Sequence, residues 1–363
     1  MTTINREALL KALQLVRPAI SNQTFIPALS HIRFREGWAE AFNDVTCISV
    51  NLPKNSGELD LCAPGDLLIK ALNSFGTEDV LFKFGKDSSL TLVSGKSSIK
   101  VPTLPGKDFP LKWPKDDGVR IKLDAGMLKG IEHCLLSVGS DTNHPSQMGV
   151  TLDANDSGQP VLYSTDNFCI SRYVCADSST VKLPGGAPVI LPTFFCQQLL
   201  ELTKSFPDDN VFLFLRDGSI DAGVGDNALI LTKVLNDVSP LDFESMLRKY
   251  AGSPSDLKKQ HTKVPNGMDA ALVRALLVLG NTHDKFTTMQ CKDEQLVMHS
   301  SSDMGANEES LGIDADDMDS FIVDPSMVQR CLKYCTHTIL KKNALIMTNA
   351  DATFTHMISH CAK

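Results

Sequence analysis

One short segment occurs twice. Asn43-Asp44-Val45-Thr46-Cys47-Ile48-Ser49 returns as Thr165-Asp166-Asn167-Phe168-Cys169-Ile170-Ser171, so matching the two aspartates sets a spacing of 122 residues. A repeat at that spacing constrains the fold more than composition does, because each copy is the size of an ordinary domain and should be a folding unit. The flanking patterns repeat too. Upstream of the first copy, Asn5 is suited to cap a helix over residues 5–20, with Leu9, Leu13, Val16 and Ile20 on one face. Downstream, Pro64 suits a first helical turn, and Leu67, Leu68, Ala71, Leu72 and Phe75 follow at helical spacing. The second copy has helix candidates at 124–139 and 192–206. A third, weaker pair lies at 268–282 and 324–335.

Each second helix is followed by two short strands and a turn: 80–84 and 90–93, then 211–215 and 228–234 after an Asp217-Gly218 turn, then 344–348 and 353–358. Pro105-Gly106-Lys107-Asp108-Phe109 also rhymes with Pro240-Leu241-Asp242-Phe243. The expectation is an α+β chain of three repeated helix-plus-antiparallel-sheet domains, at 1–117, 118–252 and 253–363. Linkers are expected near 112–118 and 251–267.

With 363 residues, 42% of them hydrophobic, the chain has material for several cores. No stretch reads as an export signal or membrane span, so the expectation is a cytoplasmic protein with no membrane partner. Ten cysteines without a CxxC pair read as reduced thiols, and no metal site or cofactor is expected.

The net charge of -8 speaks against coating along DNA by bulk electrostatics. The charge is nevertheless segregated. The helix candidates, with the fourth counted from Leu191, hold nine of the 35 Lys/Arg but only seven of the 43 Asp/Glu. Asp66, Asp124, Asp269 and Asp324 fall near helix starts, where they complement the dipole. A mildly basic set remains: Arg6, Lys11, Arg17, Lys70, Lys129, Lys204, Arg274, Arg330 and Lys333. On separate helices these are ordinary solvated faces; on one shared wall they form a positive surface on an acidic protein.

Catalytic readings are thin. Asp44 and Asp166 are related by the repeat and fall in different domains, whereas carboxylate chemistry needs two groups converging on one bond. Asp at a strand-end turn serves more often to bond the backbone. His283, His299 and His356 lack metal-ligand spacing, and no GxxxxGK[ST] or GxGxxG loop is present. No catalytic residue is expected, and the chain is expected not to be an enzyme.

Beyond the repeat, the chain resembles the beta subunit of bacterial DNA polymerase III, the sliding-clamp family, over nearly its full length. The resemblance is carried by Arg6-Glu7-Ala8-Leu9-Leu10-Lys11-Ala12-Leu13-Gln14, Ile26-Pro27-Ala28-Leu29, Ser94-Gly95-Lys96-Ser97, Thr103-Leu104-Pro105-Gly106-Lys107-Asp108-Phe109-Pro110, Ser164-Thr165-Asp166, Val189-Ile190-Leu191-Pro192 and Gly225-Asp226 through Pro240-Leu241-Asp242-Phe243, in the family's order. It implies the DNA clamp fold and a homodimer whose six domains close a ring around double-stranded DNA. Partners would be the DNA, bound without sequence reading, a DNA polymerase tethered to its template, and an ATP-dependent clamp loader. The DNA-facing set would be the nine basic residues above together with Gln23. A pocket for partner peptides would be lined by Thr165, Phe168, Ile170, Pro240, Phe243, Met246, His356 and Ile358. The dimer contact would join Phe109 and Leu111 to Val278 and Leu279. Phe168 and Cys169 replace the family's His-Arg, and His360-Cys361-Ala362-Lys363 replaces its apolar tail. Such divergence suits a phage- or plasmid-borne copy. The alternative is a repeat-built protein-interaction scaffold that encircles no DNA.

Overall fold

The computed structural model describes residues 2–21, 25–53, 59–85, 88–114, 118–234, 238–251, 259–280, 285–341 and 343–360. The chain divides into two compact units, one made of Met1–Asp124 with Gln197–Asn236, the other of Ala125–Cys196 with Asp237–Lys363. The segment expected as a second domain therefore contributes to both.

In the first unit, α1 (Arg6–Val16) starts where Asn5 Oδ1 accepts from Ala8 N at 3.0 Å, and it buries Leu9, Ala12, Leu13 and Val16. α2 (Gly65–Ser74) follows Pro64, which takes the cap position instead of the first turn. Leu68 and Leu72, four apart, take its core face, and neighbouring Leu67 is rotated about 100° away into solvent. A nine-stranded antiparallel sheet runs Val119–Leu123, Val211–Arg216, Ser219–Val224, Ala228–Lys233, Thr46–Asn51, Trp38–Phe42, His31–Arg35, Asp60–Pro64, Leu104–Pro105. Strand Ser219–Val224, not 228–233, follows the Asp217-Gly218 turn, which corrects the sequence reading. Its Asp221 and Gly223 obscure the apolar pattern, but Asp221 is buried against Arg216 as an ion pair. The two parts of this unit join where Ala228–Lys233 pairs with Thr46–Asn51, with the buried Thr46 and Thr232 hydroxyls 2.9 Å apart. A smaller sheet runs Thr2–Asn5, Asp79–Gly85, Ser89–Ser94, Ser97–Pro102.

The second unit holds α3 (Ala125–Cys134). α4 (Thr193–Ser205) begins in this unit and ends in the first. α5 (Phe243–Ala251), α6 (Met268–Leu279) and α7 (Pro325–Leu332) are further helices of the second unit. Asp324 caps α7 by accepting from Ser326 N at 2.8 Å. An eight-stranded sheet runs Val189–Pro192, Gly149–Ala154, Pro160–Thr165, Cys169–Val174, Phe354–Ser359, Ala344–Thr348, His337–Lys341, Thr262–Lys263. A four-stranded sheet runs Gly305–Gly312, Gln295–Ser302, Thr287–Lys292, Met318–Val323. α5 was not expected. Asp242 starts it, accepting from Ser245 N at 3.1 Å, and Phe243 and Leu247, four apart, are its buried residues.

The repeated segment is the same hairpin turn twice, in a register one residue away from the identity match. Asn43 Oδ1 accepts from Val45 N (3.1 Å) and Thr46 N (2.7 Å), as Asp166 Oδ1 accepts from Phe168 N (3.0 Å) and Cys169 N (2.7 Å). Asp44 and Asn167 then carry the left-handed backbone, at φ 76° and 73°. The equivalence is therefore Asn43 with Asp166 and Asp44 with Asn167, a spacing of 123. A carboxamide and a carboxylate oxygen serve this turn alike, so pairing Asp with Asp misled.

Candidate nucleic-acid interface and partner surfaces

The basic helix residues fall into two groups. Lys11, Lys70, Lys129, Arg330 and Lys333 are exposed and make no ion pair among the described residues. Lys333 lies over the Tyr334 ring at 4.4 Å, and Arg330 and Lys333 line an open cavity of about 560 Å3 with Leu136, Asp269, Gln329 and Leu332. The others are engaged. Arg6 is mostly buried, donating to Thr77 O at 2.9 Å and Leu72 O at 3.4 Å, so it ties the start of α1 to the end of α2. Arg17 bonds Asp66 (3.0 Å) and Lys204 bonds Glu201 (2.9 Å). Arg274 clasps Glu309 with two bonds of 2.5 and 2.9 Å, which hold the Glu309 carboxyl down at about 2. Gln23 lies outside the described residues.

Beneath Lys129 and Lys333, His133 is buried with ring centroids of Tyr334, Phe354 and Tyr173 at 4.1, 4.7 and 5.2 Å. Burial, and then the charges of Lys129 and Lys333, push His133 down to about 4. His356 is buried as well, with Nδ1 at 2.9 Å from Ser171 Oγ and 3.3 Å from Ser137 Oγ, and burial followed by Arg330 pushes it down to about 3. Both imidazoles are neutral in the folded chain, whereas in the unfolded chain they protonate near their ordinary 6.5. Their stabilising contribution is therefore complete above about pH 6.5 and is lost as pH falls through 6.5 towards 4 and 3. Stability should drop over that window by roughly 1–3 kcal/mol per histidine. Denaturant titrations at pH 7.5 and 4.5 should show this, and His133→Leu should flatten the profile.

The expected peptide pocket is redistributed by strand alternation. Antiparallel partners Ile170 and Met357 share one face of the eight-stranded sheet, where Ile170, Met357, Tyr163, Ile346, Phe243 and Leu247 form one cluster, with Leu241 and Met246 half-buried against it. His356 and Ile358 alternate to the opposite face, with Ser171 and Cys169, so they do not line a pocket with Ile170; Met357 stands where they were expected. Cys169 Sγ lies 3.6 Å from Met327 Sδ of α7 on that face. Thr165 is buried and spent on its turn, its hydroxyl donating to Cys169 O at 2.7 Å. Phe168 is 56% exposed, and Pro240 is half-buried just before α5. Phe243 stacks on Tyr163 at 5.2 Å, and Glu244 accepts from the Tyr163 hydroxyl (2.5 Å) and Arg172 (2.9 Å). Burial raises Glu244, but these two donors outweigh it and hold the carboxyl below its usual range.

Of the expected dimer contacts, Phe109, Leu111 and Leu279 are buried within the chain. Phe109 and Leu111 pack in a core with Leu29, Phe42, Cys47, Cys62 and Leu231, and Leu279 is 2% exposed. Val278 is half-buried, its carbonyl accepting from Ser302 Oγ at 2.6 Å. α6 instead presents Val273 and Leu277, one turn apart, to solvent, and Leu277 is 70% exposed. Met304, 77% exposed, lies beside Gly280 at the end of this helix. Sequence spacing alone made Leu277 and Leu279 equally apolar; only the helix phase separates them.

Asp44 bonds Lys233 (3.2 Å) on the surface, and Asp166 bonds the amides of its own turn. Among the described residues, no group of His, Cys, Asp or Glu could hold a metal, and no helix is long and apolar enough to cross a membrane.

The architecture is that of a DNA sliding clamp. A solved sliding clamp from Bartonella birtlesii, bound to griselimycin, superposes with a TM-score of 0.87 at 17% identity, covering 100% of this chain and 99% of that one. Residues 1–113 match the family described as DNA polymerase III beta subunit, N-terminal domain. The beta sliding clamp of Caulobacter vibrioides is 29% identical over 202 residues, 52% of this chain and 54% of its own. That of Lactococcus lactis is 24% identical over 209 residues, 53% of each. These sequence matches span about half the length of either relative. The chain thus resembles the DNA polymerase III beta subunit over residues 1–113 and shares the fold of solved sliding clamps over its whole length.

Proposed function

We propose that this chain is a processivity clamp, two copies closing a ring around duplex DNA and tethering a polymerase to its template. The observation that carries the reading is the excess of cations over acids on the helix candidates of an acidic chain, with Lys11, Lys70, Lys129, Arg330 and Lys333 exposed and without an ion pair among the described residues. A handful of lysines and arginines without base-reading geometry attracts phosphate but cannot hold it against salt, so retention falls to ring closure. A closed ring must be opened to load, which calls for an ATP-dependent loader. The clamp itself performs no covalent step. Retention on circular but not linear DNA tests this, and its absence would favour the protein-binding scaffold.

Ring closure needs two complementary ends. Ser97–Pro102 in the first unit and Gly305–Gly312 in the second are each the last strand of a four-stranded sheet, with one side open to pairing. The exposed Glu308 on one and Lys100 on the other are of opposite sign. Val273, Leu277 and Met304 supply apolar area in the second unit.

The partner-peptide surface is proposed at the half-buried Leu241 and Met246, over the buried Ile170 and Met357, with Phe168 and Pro240 at its border. An aromatic or aliphatic anchor buried there should bind with an affinity on the order of micromolar. Met246→Asp should weaken a dye-labelled Leu-Phe peptide at least about tenfold in anisotropy while leaving the protein's mass unchanged. Unaltered affinity would move the surface elsewhere.

A further inference from the structure

The hairpin turn that borders the proposed peptide surface has its twin in the first unit. Phe42 pairs with Cys47 as Thr165 pairs with Ile170, and Leu231 lies opposite Cys47 as Met357 lies opposite Ile170. The adjoining strands enter identically, Lys233 N donating to Val45 O at 3.0 Å and Ser359 N to Phe168 O at 2.8 Å. At this twin turn, within the first unit, a cleft of about 400 Å3 opens beside Phe42, Val45, Leu111 and Leu231, with Lys112 and Lys233 also lining it. That volume and mixture of walls suit one or two side chains of a short peptide.

We propose that this cleft is a second docking site on each chain, taking an apolar side chain against Phe42, Val45 and Leu231 and an acidic neighbour against Lys112 and Lys233. The inference rests on the reading of the second unit's surface as a peptide site, but charge separates the two. The position of Lys233 is taken there by the neutral Ser359. Lys112 is exposed and makes no ion pair among the described residues. Lys233, over the Phe42 ring at 5.3 Å, pairs among the described residues with the exposed Asp44 at 3.2 Å, a pairing a peptide carboxylate can displace at little cost. Asp217, also in the lining, is engaged in an interaction of its own. Complementary charge then selects acidic peptides for the first unit, and the second unit takes neutral and acidic ones alike.

The experiment titrates the full-length chain with two dye-labelled pentapeptides, Asp-Asp-Leu-Leu-Phe and its neutral twin Asn-Asn-Leu-Leu-Phe, reading stoichiometry by calorimetry and affinity by anisotropy. The acidic peptide should bind at two sites per chain and the neutral one at one. Val45→Asp with Lys112→Glu, both at exposed positions, should weaken one acidic-peptide site at least tenfold and spare the other, whereas Met246→Asp should do the reverse. Loss of the only site on Val45→Asp/Lys112→Glu, with Met246→Asp silent, would keep this cleft and sink the second unit's pocket. A single site abolished by Met246→Asp and untouched by the first-unit changes overturns this inference and leaves the pocket standing. No binding of either peptide overturns both.

Discussion

Loaded onto nicked circular DNA, the protein should stay for many minutes at roughly half-molar salt and should leave within seconds once the circle is cut. A binder held by several phosphate contacts loses on the order of a thousandfold or more in affinity between 50 and 200 mM salt, so a merely electrostatic complex would be stripped from both DNA forms. Five exposed cations spread over four helices, Lys11, Lys70, Lys129, Arg330 and Lys333, on a chain of net charge -8 give no reason to expect better. Closure replaces that affinity with topology, and escape then requires an opened interface or a DNA end. The lifetime ratio between circle and linear form should exceed about a hundred, read by single-molecule fluorescence or gel filtration. Equal, short lifetimes on both forms would end the clamp reading. Charge reversal of Lys11 with Lys70 should slow loading far more than it shortens residence, because the cations act on the approach of DNA and closure acts on its release.

The second large effect separates two leucines only two positions apart. Leu277→Asp changes a side chain that is 70% exposed in the single chain, so the fold should tolerate it within about 0.5 kcal/mol. If Leu277 belongs to the contact between copies, an unpaired carboxylate there should cost several kcal/mol and turn a dimer into a monomer of unchanged melting temperature. Leu279→Asp does the opposite. Leu279 is 2% exposed, and a charge at that depth should destabilise the second unit by about 3–5 kcal/mol, seen as a lowered melting temperature before any change in mass. Light scattering and calorimetry on the two variants read the difference directly. A Leu277→Asp protein that keeps its dimer mass at micromolar concentration would remove this patch from the interface.

What was legible in the sequence is local. The Asn5 cap, the place of Asp324 at a helix start, the apolar spacing of Leu9, Leu13 and Val16, and the two copies of the turn all depend on residues within a few positions of one another, and each appears as a helix or hairpin where the spacing put it. The excess of cations over acids on the helix candidates was legible for the same reason, since it needs only the helix boundaries. Tertiary structure decided which side chains meet. Asn43 matches Asp166 through a shared hydrogen-bond pattern that identity matching cannot register, so the spacing read one residue short. His356 and Ile358 were placed with Ile170, although strand alternation puts them on the far face and brings Met357 forward. That parity becomes visible only when the pairing of Cys169–Val174 with Phe354–Ser359, strands nearly two hundred residues apart, is known. Arg6 and Arg274 read as surface cations until Leu72, Thr77 and Glu309 were brought to them. Phe109, Leu111 and Leu279 read as contact residues until the sheets closed over them. Charge and hydrophobicity belong to a residue, whereas burial, facing and partnership belong to pairs distant in sequence, and the folded chain alone creates those pairs.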